Sequence, residues 1–259
     1  MGGRLAQYLQ RSSRKYQPFS VSDPDTLCRI LEPGDVLLVE GNQKISAAIK
    51  YLTQSTWSHS AFYVGNAMPS SDVNSEPCGL IEALVTEGIV AVPLSKYRNY
   101  NTRICRPVGL TEEDRDRLVE FMIAGVGKLY DFKNIIDLAR YLLPTPPVPV
   151  RWRRKMLALG SGDPTRAICS TVIAQAFQSI GYPILPHVEV KNVRDGDRGY
   201  YTTQELLHIR HHSLFAPRDF DLSPYFRIVK PTIESRFNYQ NLVWYNRSPS
   251  GDDTADNRR

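Results

Sequence analysis

Residues 56–65 read TWSHSAFYVG, a short run with apolar side chains on both faces of an extended chain. Ala61 and Tyr63 share one face, Phe62 and Val64 the other, and Gly65-Asn66 closes the run with a turn. The pattern reads as a buried strand. His59 stands at its mouth, on the Ala61/Tyr63 face. A lone histidine is more often structural than reactive, so its meaning depends on what the rest of the chain sets beside it.

Further strand signals lie on either side. Pro33-Gly34 turns into GDVLLVEG (34–41), a short buried strand at Val36 to Val39. LIEALV (80–85), GIVAVPL (88–94) and TRICRPV (102–108) add three more, and the set predicts an antiparallel meander. ISAAIKYLTQ (45–54) has helical spacing at Ile45, Ala48, Ile49 and Leu52. A second helix is expected in LTEEDRDRLVEFMIAGVGKLYDF (110–132), where Thr111 is the N-cap and acids fill the first turn. A third is expected over FKNIIDLARYLL (132–143), stopped by PTPPVPV (144–150). The chain after residue 182 reads as loop-rich, with a helix near TTQELLHIRHH (202–212).

The 259 residues are 42% hydrophobic and 23% charged, an ordinary globular composition without repeats. One domain is expected over 31–245, with a basic lead-in at 1–30 and a disordered tail at 246–259. The net charge of +5 suits an anionic partner such as a membrane surface, but is too small and dispersed to argue for nucleic acid. No run has the length of a signal core or a membrane span, and Ala6 spoils a myristoylation motif at Gly2. Cys28, Cys78, Cys105 and Cys169 form no C-x-x-C pair, which reads as free thiols in a reducing compartment, the cytosol by default.

The most informative segment is AICSTVIAQAFQSIGY (167–182). Cys169, Val172, Ile173, Ala176, Phe177 and Ile180 fall on one helical face, and Gly181 ends it. Cys169 occupies the first turn, where unpaired N–H groups and the helix dipole favour a thiolate and can also cradle an oxyanion. Most free cysteines are instead small buried hydrophobes. A thiolate nucleophile wants an imidazole beside it, and the imidazole wants a third group to orient it. His59 supplies the second member and Glu82 is the candidate third. Glu82 shares a strand face with Leu80 and Leu84, and a carboxylate buried there needs a partner. His59 is that partner if the two strands are neighbours; otherwise Glu82 faces solvent at a sheet edge.

The ordered set GDVLLVEG, WSHSAFYVG, IEA with EGIVAVPL, LYDF, CSTVIAQAF and FAPRDFDLSPYFRIV resembles the YiiX/YaeF-like permuted papain-like amidases, in the NlpC-type branch of the papain-fold cysteine hydrolases. The likeness runs from about Gly34 to Val229, and the order His59, Glu82, Cys169 is that of a circular permutation. It implies an α+β fold, with an antiparallel sheet packed against the Cys-bearing helix. It also implies Cys169 as nucleophile, His59 as general base and Glu82 as the orienting residue. Tyr130, in LYDF, matches a recurrent tyrosine, and with Trp57 and Trp152 it is a candidate substrate contact. No cofactor or metal is implied. Two departures stand out: a long loop between the His and Glu strands, and a Pro/Arg-rich insert at 144–166 that is a candidate lid.

The resulting expectation is a cysteine hydrolase that cleaves an amide, ester or thioester through an acyl-enzyme, acting on a small molecule, a peptide or an acyl-lipid. The insert, with Trp152 and Arg151, Arg153 and Arg154, favours as runner-up a lipid-directed acyl hydrolase or acyltransferase at an anionic membrane. A non-catalytic binding protein of the same fold is the alternative of another class. His208, His211 and His212 could share a helix face for a metal, but lack the glutamate of an H-E-x-x-H motif.

Overall fold

The strand Val36–Val39 (β1) has four apolar residues in a row, and all four are buried. A strand of this kind needs cover on both faces, and the fold supplies it. The structure, a computed structural model, describes residues 23–68, 79–84, 87–128, 168–194, 201–208, 210–234 and 238–241. In chain order the elements are α1 (Pro24–Ile30), β1, α2 (Lys44–Thr53), β2 (His59–Gly65), β3 (Gly79–Leu84), β4 (Gly88–Pro93), β5 (Thr102–Pro107) and α3 (Glu112–Gly125). There follow α4 (Ile168–Ser179), β6 (His187–Arg194), β7 (Tyr201–His208), α5 (Pro217–Leu222), β8 (Phe226–Val229) and α6 (Pro231–Glu234).

Six strands form one antiparallel sheet in the order β4-β3-β2-β1-β5-β8. The expected meander holds from β1 to β4 and breaks at β5. β5 crosses to the far edge of β1, where Leu38 pairs with Arg103 on one side and Ser60 on the other. The reason is that β1 is central, and its buried N–H and C=O groups need a partner strand on each edge.

Alternation sorts the side chains into two cores. Val36, Leu38, Phe62, Val64, Ile81 and Ala83 face α3 and α4, which contribute Leu118, Met122, Val172, Ile173, Ala176 and Phe177. Phe177 is the hub of this layer, with ring contacts to Phe62, Tyr182, Phe220 and Phe226 at centroid distances of 5.2 to 6.4 Å. The opposite face, with Leu37, Val39, Ala61, Tyr63, Leu80 and Ile104, is covered by Leu27 and Leu31 of α1 and by Leu94 and Tyr97. Asp23 caps α1 by accepting from Thr26 N, and Pro24 opens it. The Thr111 cap of α3 forms as expected, its hydroxyl accepting from Asp114 N at 3.1 Å.

Two expectations need correction. Residues 201–208 are not helical: they form β7, paired in register with β6 from His187↔His208 to Arg194↔Tyr201. The alternating valines of HVEVKNVR and the Tyr-Thr-Thr start of β7 carry stronger strand preference than the Leu-Leu pair carries for helix. Cys28 is disulfide-bonded, whereas Cys105 and Cys169 are free. Spacing along a chain says nothing about Cα separations in the fold, which decide pairing. With a disulfide present, the cysteines no longer argue for a reducing compartment. The 144–166 insert, the helix expected at 132–143 and both termini lie outside the described residues.

Phe177→Ala removes the hub of the larger core and is expected to cost about 3–5 kcal/mol of stability. Urea unfolding of the purified variant checks this; a loss under 1 kcal/mol would show that the aromatic cluster collapses around the gap.

Candidate active site

The register of β2 against β3 pairs Tyr63 with Leu80 and Phe62 with Ile81. One step further along, Glu82 lies across from Ala61 and diagonal to His59 on the same face, within reach of a long side chain. His59 Nε2 and Glu82 Oε2 are 2.6 Å apart. The Glu82 side chain is wholly buried, while His59 keeps 20% of its side-chain surface.

Burial of a carboxylate demands compensation, and three partners provide it. A 3-10 turn, Leu94–Tyr97, folds back after β4. From it the Lys96 ammonium pairs with Glu82 Oε1, and the Tyr97 hydroxyl donates to Oε2, the oxygen that also holds His59. Burial alone raises the Glu82 carboxyl, but hydrogen bonding and charge from His59 and the charge of Lys96 bring it down to about 2. Tyr97 is pushed well above its ordinary value by burial and by the neighbouring carboxylate, so it stays a neutral donor.

Cys169 stands in the first turn of α4 and is 5% exposed. Burial raises its thiol. The His59 charge, a His59 hydrogen bond and hydrogen bonds from the Ser60 side chain and backbone outweigh it and lower the value to about 7. For His59, burial disfavours the cation, but the Cys169 thiolate and Glu82 prevail and raise it to about 10. Ser170 Oγ lies 3.9 Å from Cys169 Sγ and 3.4 Å from Ser60 Oγ. Cys105, by contrast, is pushed up strongly by burial.

The structure thus brings Cys169, His59 and Glu82 into one chain of contacts. Trp57, two residues before His59, is buried; its Nε1 donates to Asp221 Oδ2 at 3.1 Å and the Arg103 guanidinium lies 4.9 Å from its ring centre. It lines an open cleft. Tyr130 and Trp152 lie outside the described residues. Lys96, Tyr97 and Ser60 escaped sequence reasoning. Ser60 was legible as the neighbour of His59, but Lys96 and Tyr97 become visible only once β4 is paired to β3. The triad of histidines does not share a helix: His208 ends β7, and His212 begins a 3-10 turn. Among the described residues no group of three or more His, Cys, Asp or Glu is arranged to hold a metal ion.

Residues 30–141 match the model of the permuted papain-like amidase enzymes, the YaeF/YiiX, C92 family. That span contains His59 and Glu82 and ends before Cys169. Over that span the chain is similar to the YiiX/YaeF amidases, a likeness that, with its α+β fold, supports a cysteine amidase/peptidase-like hydrolase. Among solved structures it is similar to the metalloprotein yiiX from Escherichia coli O157:H7, at 16% identity and a TM-score of 0.45, covering 77% of this chain and 96% of that one. No curated protein matches. No helix among the described residues is long and apolar enough to cross a membrane.

The Glu82 value of about 2 lies below its ordinary 4.5. The stability it contributes is therefore complete above about pH 4.5 and is lost as pH falls through about 2. Glu82→Gln is expected to flatten this acid-side dependence, and Lys96→Met to narrow it, in denaturant titrations across that range. Superimposable curves for wild type and Glu82→Gln would show an unperturbed carboxylate.

Proposed function

We propose that Cys169 is the nucleophile of an amide-cleaving reaction that proceeds through an acyl-enzyme, with His59 as acid and base and Glu82 as its orienting group. The observation that carries this reading is the place of the His59 imidazole, bonded to a buried carboxylate on one side and to a thiol lowered to about 7 on the other.

Glu82 engages Nε2, which leaves Nδ1 for the thiol. Cys169 ionises beside the His59 imidazolium, giving a thiolate–imidazolium pair. Attack of Sγ on the substrate carbonyl forms a C–S bond and pushes the carbonyl electrons onto oxygen. The N–H groups of the first turn of α4 are the available donors for that oxyanion. Collapse breaks the C–N bond as His59 gives its proton to the departing amine. Water, losing its proton to His59, then attacks the thioester and restores the thiol, releasing the carboxylic acid. A peptide or small-molecule amide fits this sequence.

The pair is expected to titrate with apparent values near 7 and 10. The reactive ion pair forms as pH rises through about 7 and disappears as His59 loses its proton through about 10. Iodoacetamide labelling of Cys169 should therefore rise with a midpoint near 7 and outpace that of Cys105 at neutral pH. His59→Ala should return the midpoint toward 9. Cys169→Ala should abolish amide turnover. Equal rates for the two thiols, or a midpoint near 9 in the wild type, would sink the reading.

A further inference from the structure

An open cleft of about 690 Å³ lies at the end of the sheet where β2 begins. Its walls carry Trp57, Leu222 and five charged side chains, namely Lys50, Arg103 and Arg218 against Glu40 and Asp221. The two acids are already committed. Glu40 accepts from Lys50 at 2.9 Å and from Asn101 at 2.6 Å. Asp221 accepts from Arg103 at 2.6 Å and from Trp57 at 3.1 Å. Arg218 makes no close ion pair among the described residues, although its charge acts on the adjacent Asp219 carboxylate; Nη1 donates to the Thr53 carbonyl. Its sequence neighbour Asp219 turns inward, its Oδ2 accepting from Ala216 N at 2.9 Å. The cleft therefore holds one cation more than its carboxylates neutralise, on a half-buried guanidinium fork with donors to spare.

Register sets Arg103 of the cleft on the same sheet face as Ser60, beside the thiol. Ser60 and Arg103 both pair with Leu38, from opposite edges of β1, and so share one sheet face two strand spacings apart. That is on the order of 10 Å, and Ser60 is the residue hydrogen-bonded to Cys169. We propose that this cleft binds an oxyanion of the substrate, a carboxylate or phosphate, with Arg218 as its anchor and Trp57 and Leu222 as its apolar wall. The assignment of a scissile carbonyl rests on the acyl-enzyme reading of Cys169; the anion site itself does not.

Chloroacetamide probes of equal length, ending in an amide, a carboxylate, a phosphate or a trimethylammonium group, test the proposal by labelling of Cys169 under mass spectrometry. An acidic tail should label about tenfold faster than the amide tail, the scale of one partly exposed charge-assisted hydrogen bond, and the better acid tells carboxylate from phosphate. The advantage should shrink in high salt. It should vanish in Arg218→Gln, which keeps a donor for the Thr53 carbonyl, and return in part in Arg218→Lys. Equal rates for all four tails in the wild type, or a preference that survives Arg218→Gln, would overturn it. Calorimetry on Cys169→Ala with unreactive acetamide versions of the probes separates the two readings. Tighter binding of an acidic tail than of the amide supports the cleft even if the thiol proves inert, and equal binding rejects the cleft even if the thiol is reactive.

Discussion

The carboxylate of Glu82 is the group on which the site depends. It sits in the middle of a sheet, with no exposed side-chain surface, where an unpartnered charge would cost several kcal/mol. Its compensation comes from three directions: His59 from β2, and Lys96 and Tyr97 from the turn after β4. Each contact fixes something else. The bond to His59 orients the ring, the Tyr97 hydroxyl ties the turn to the sheet, and Lys96 keeps the acid ionised. Loss of any partner would leave the remainder with a buried charge to satisfy, so the cluster stands as a unit.

The two-sided burial of the sheet explains why the histidine must be the first residue of its strand. Helix α4 packs on the Leu38/Phe62 face, whereas His59 and Glu82 belong to the opposite face with Ala61 and Leu80. Deep in the strand these two sets would be separated by the sheet itself. At its mouth the backbone ends, and the first turn of α4 can meet the imidazole around the edge. Ser60, pointing toward α4, touches Ser170 and steadies the thiol from its own side. The cleft with Trp57 and Arg103 opens at the same end, because that is where side chains from both faces become accessible together.

How much of this was legible in the sequence follows from which contacts are local. The helix of Cys169 showed in its 3.6-residue period, the capped α3 in Thr111 and its acids, and the strands of His59 and Glu82 in their alternation. The need of Glu82 for a partner was legible as well, since a carboxylate between Leu80 and Leu84 is costly alone. Lys96 and Tyr97 were not, because nothing in LSKY distinguishes a turn at the surface from one folded over a buried acid. The course of β5 was hidden for the same reason: sequence order favours the neighbouring strand, and only the unpaired edge of β1 decides otherwise. The β6–β7 pair was lost to a competing period, two leucines outvoting the threonines before them.

The charges of the cluster also bear on how one imidazole could serve both halves of the proposed reaction. Moving a proton from Cys169 to His59 leaves the net charge of Cys169, His59, Glu82 and Lys96 unchanged. Burial therefore does not choose between the two states by total charge; the local partners do. The thiolate contributes the largest favourable effect on the His59 cation, ahead of Glu82, while burial opposes it. Acylation of Cys169, as proposed, would convert that thiolate into a neutral thioester and remove the effect. In the proposed reaction burial would then weigh against a weaker support, the value of His59 would fall, and the ring would give up its proton to the departing amine. What remains beside the thioester is a neutral imidazole, still held by Glu82, in the form required to take a proton from water. In the proposed reaction the buried carboxylate would orient the base in both steps, and the charge state of the sulfur would decide which step it performs.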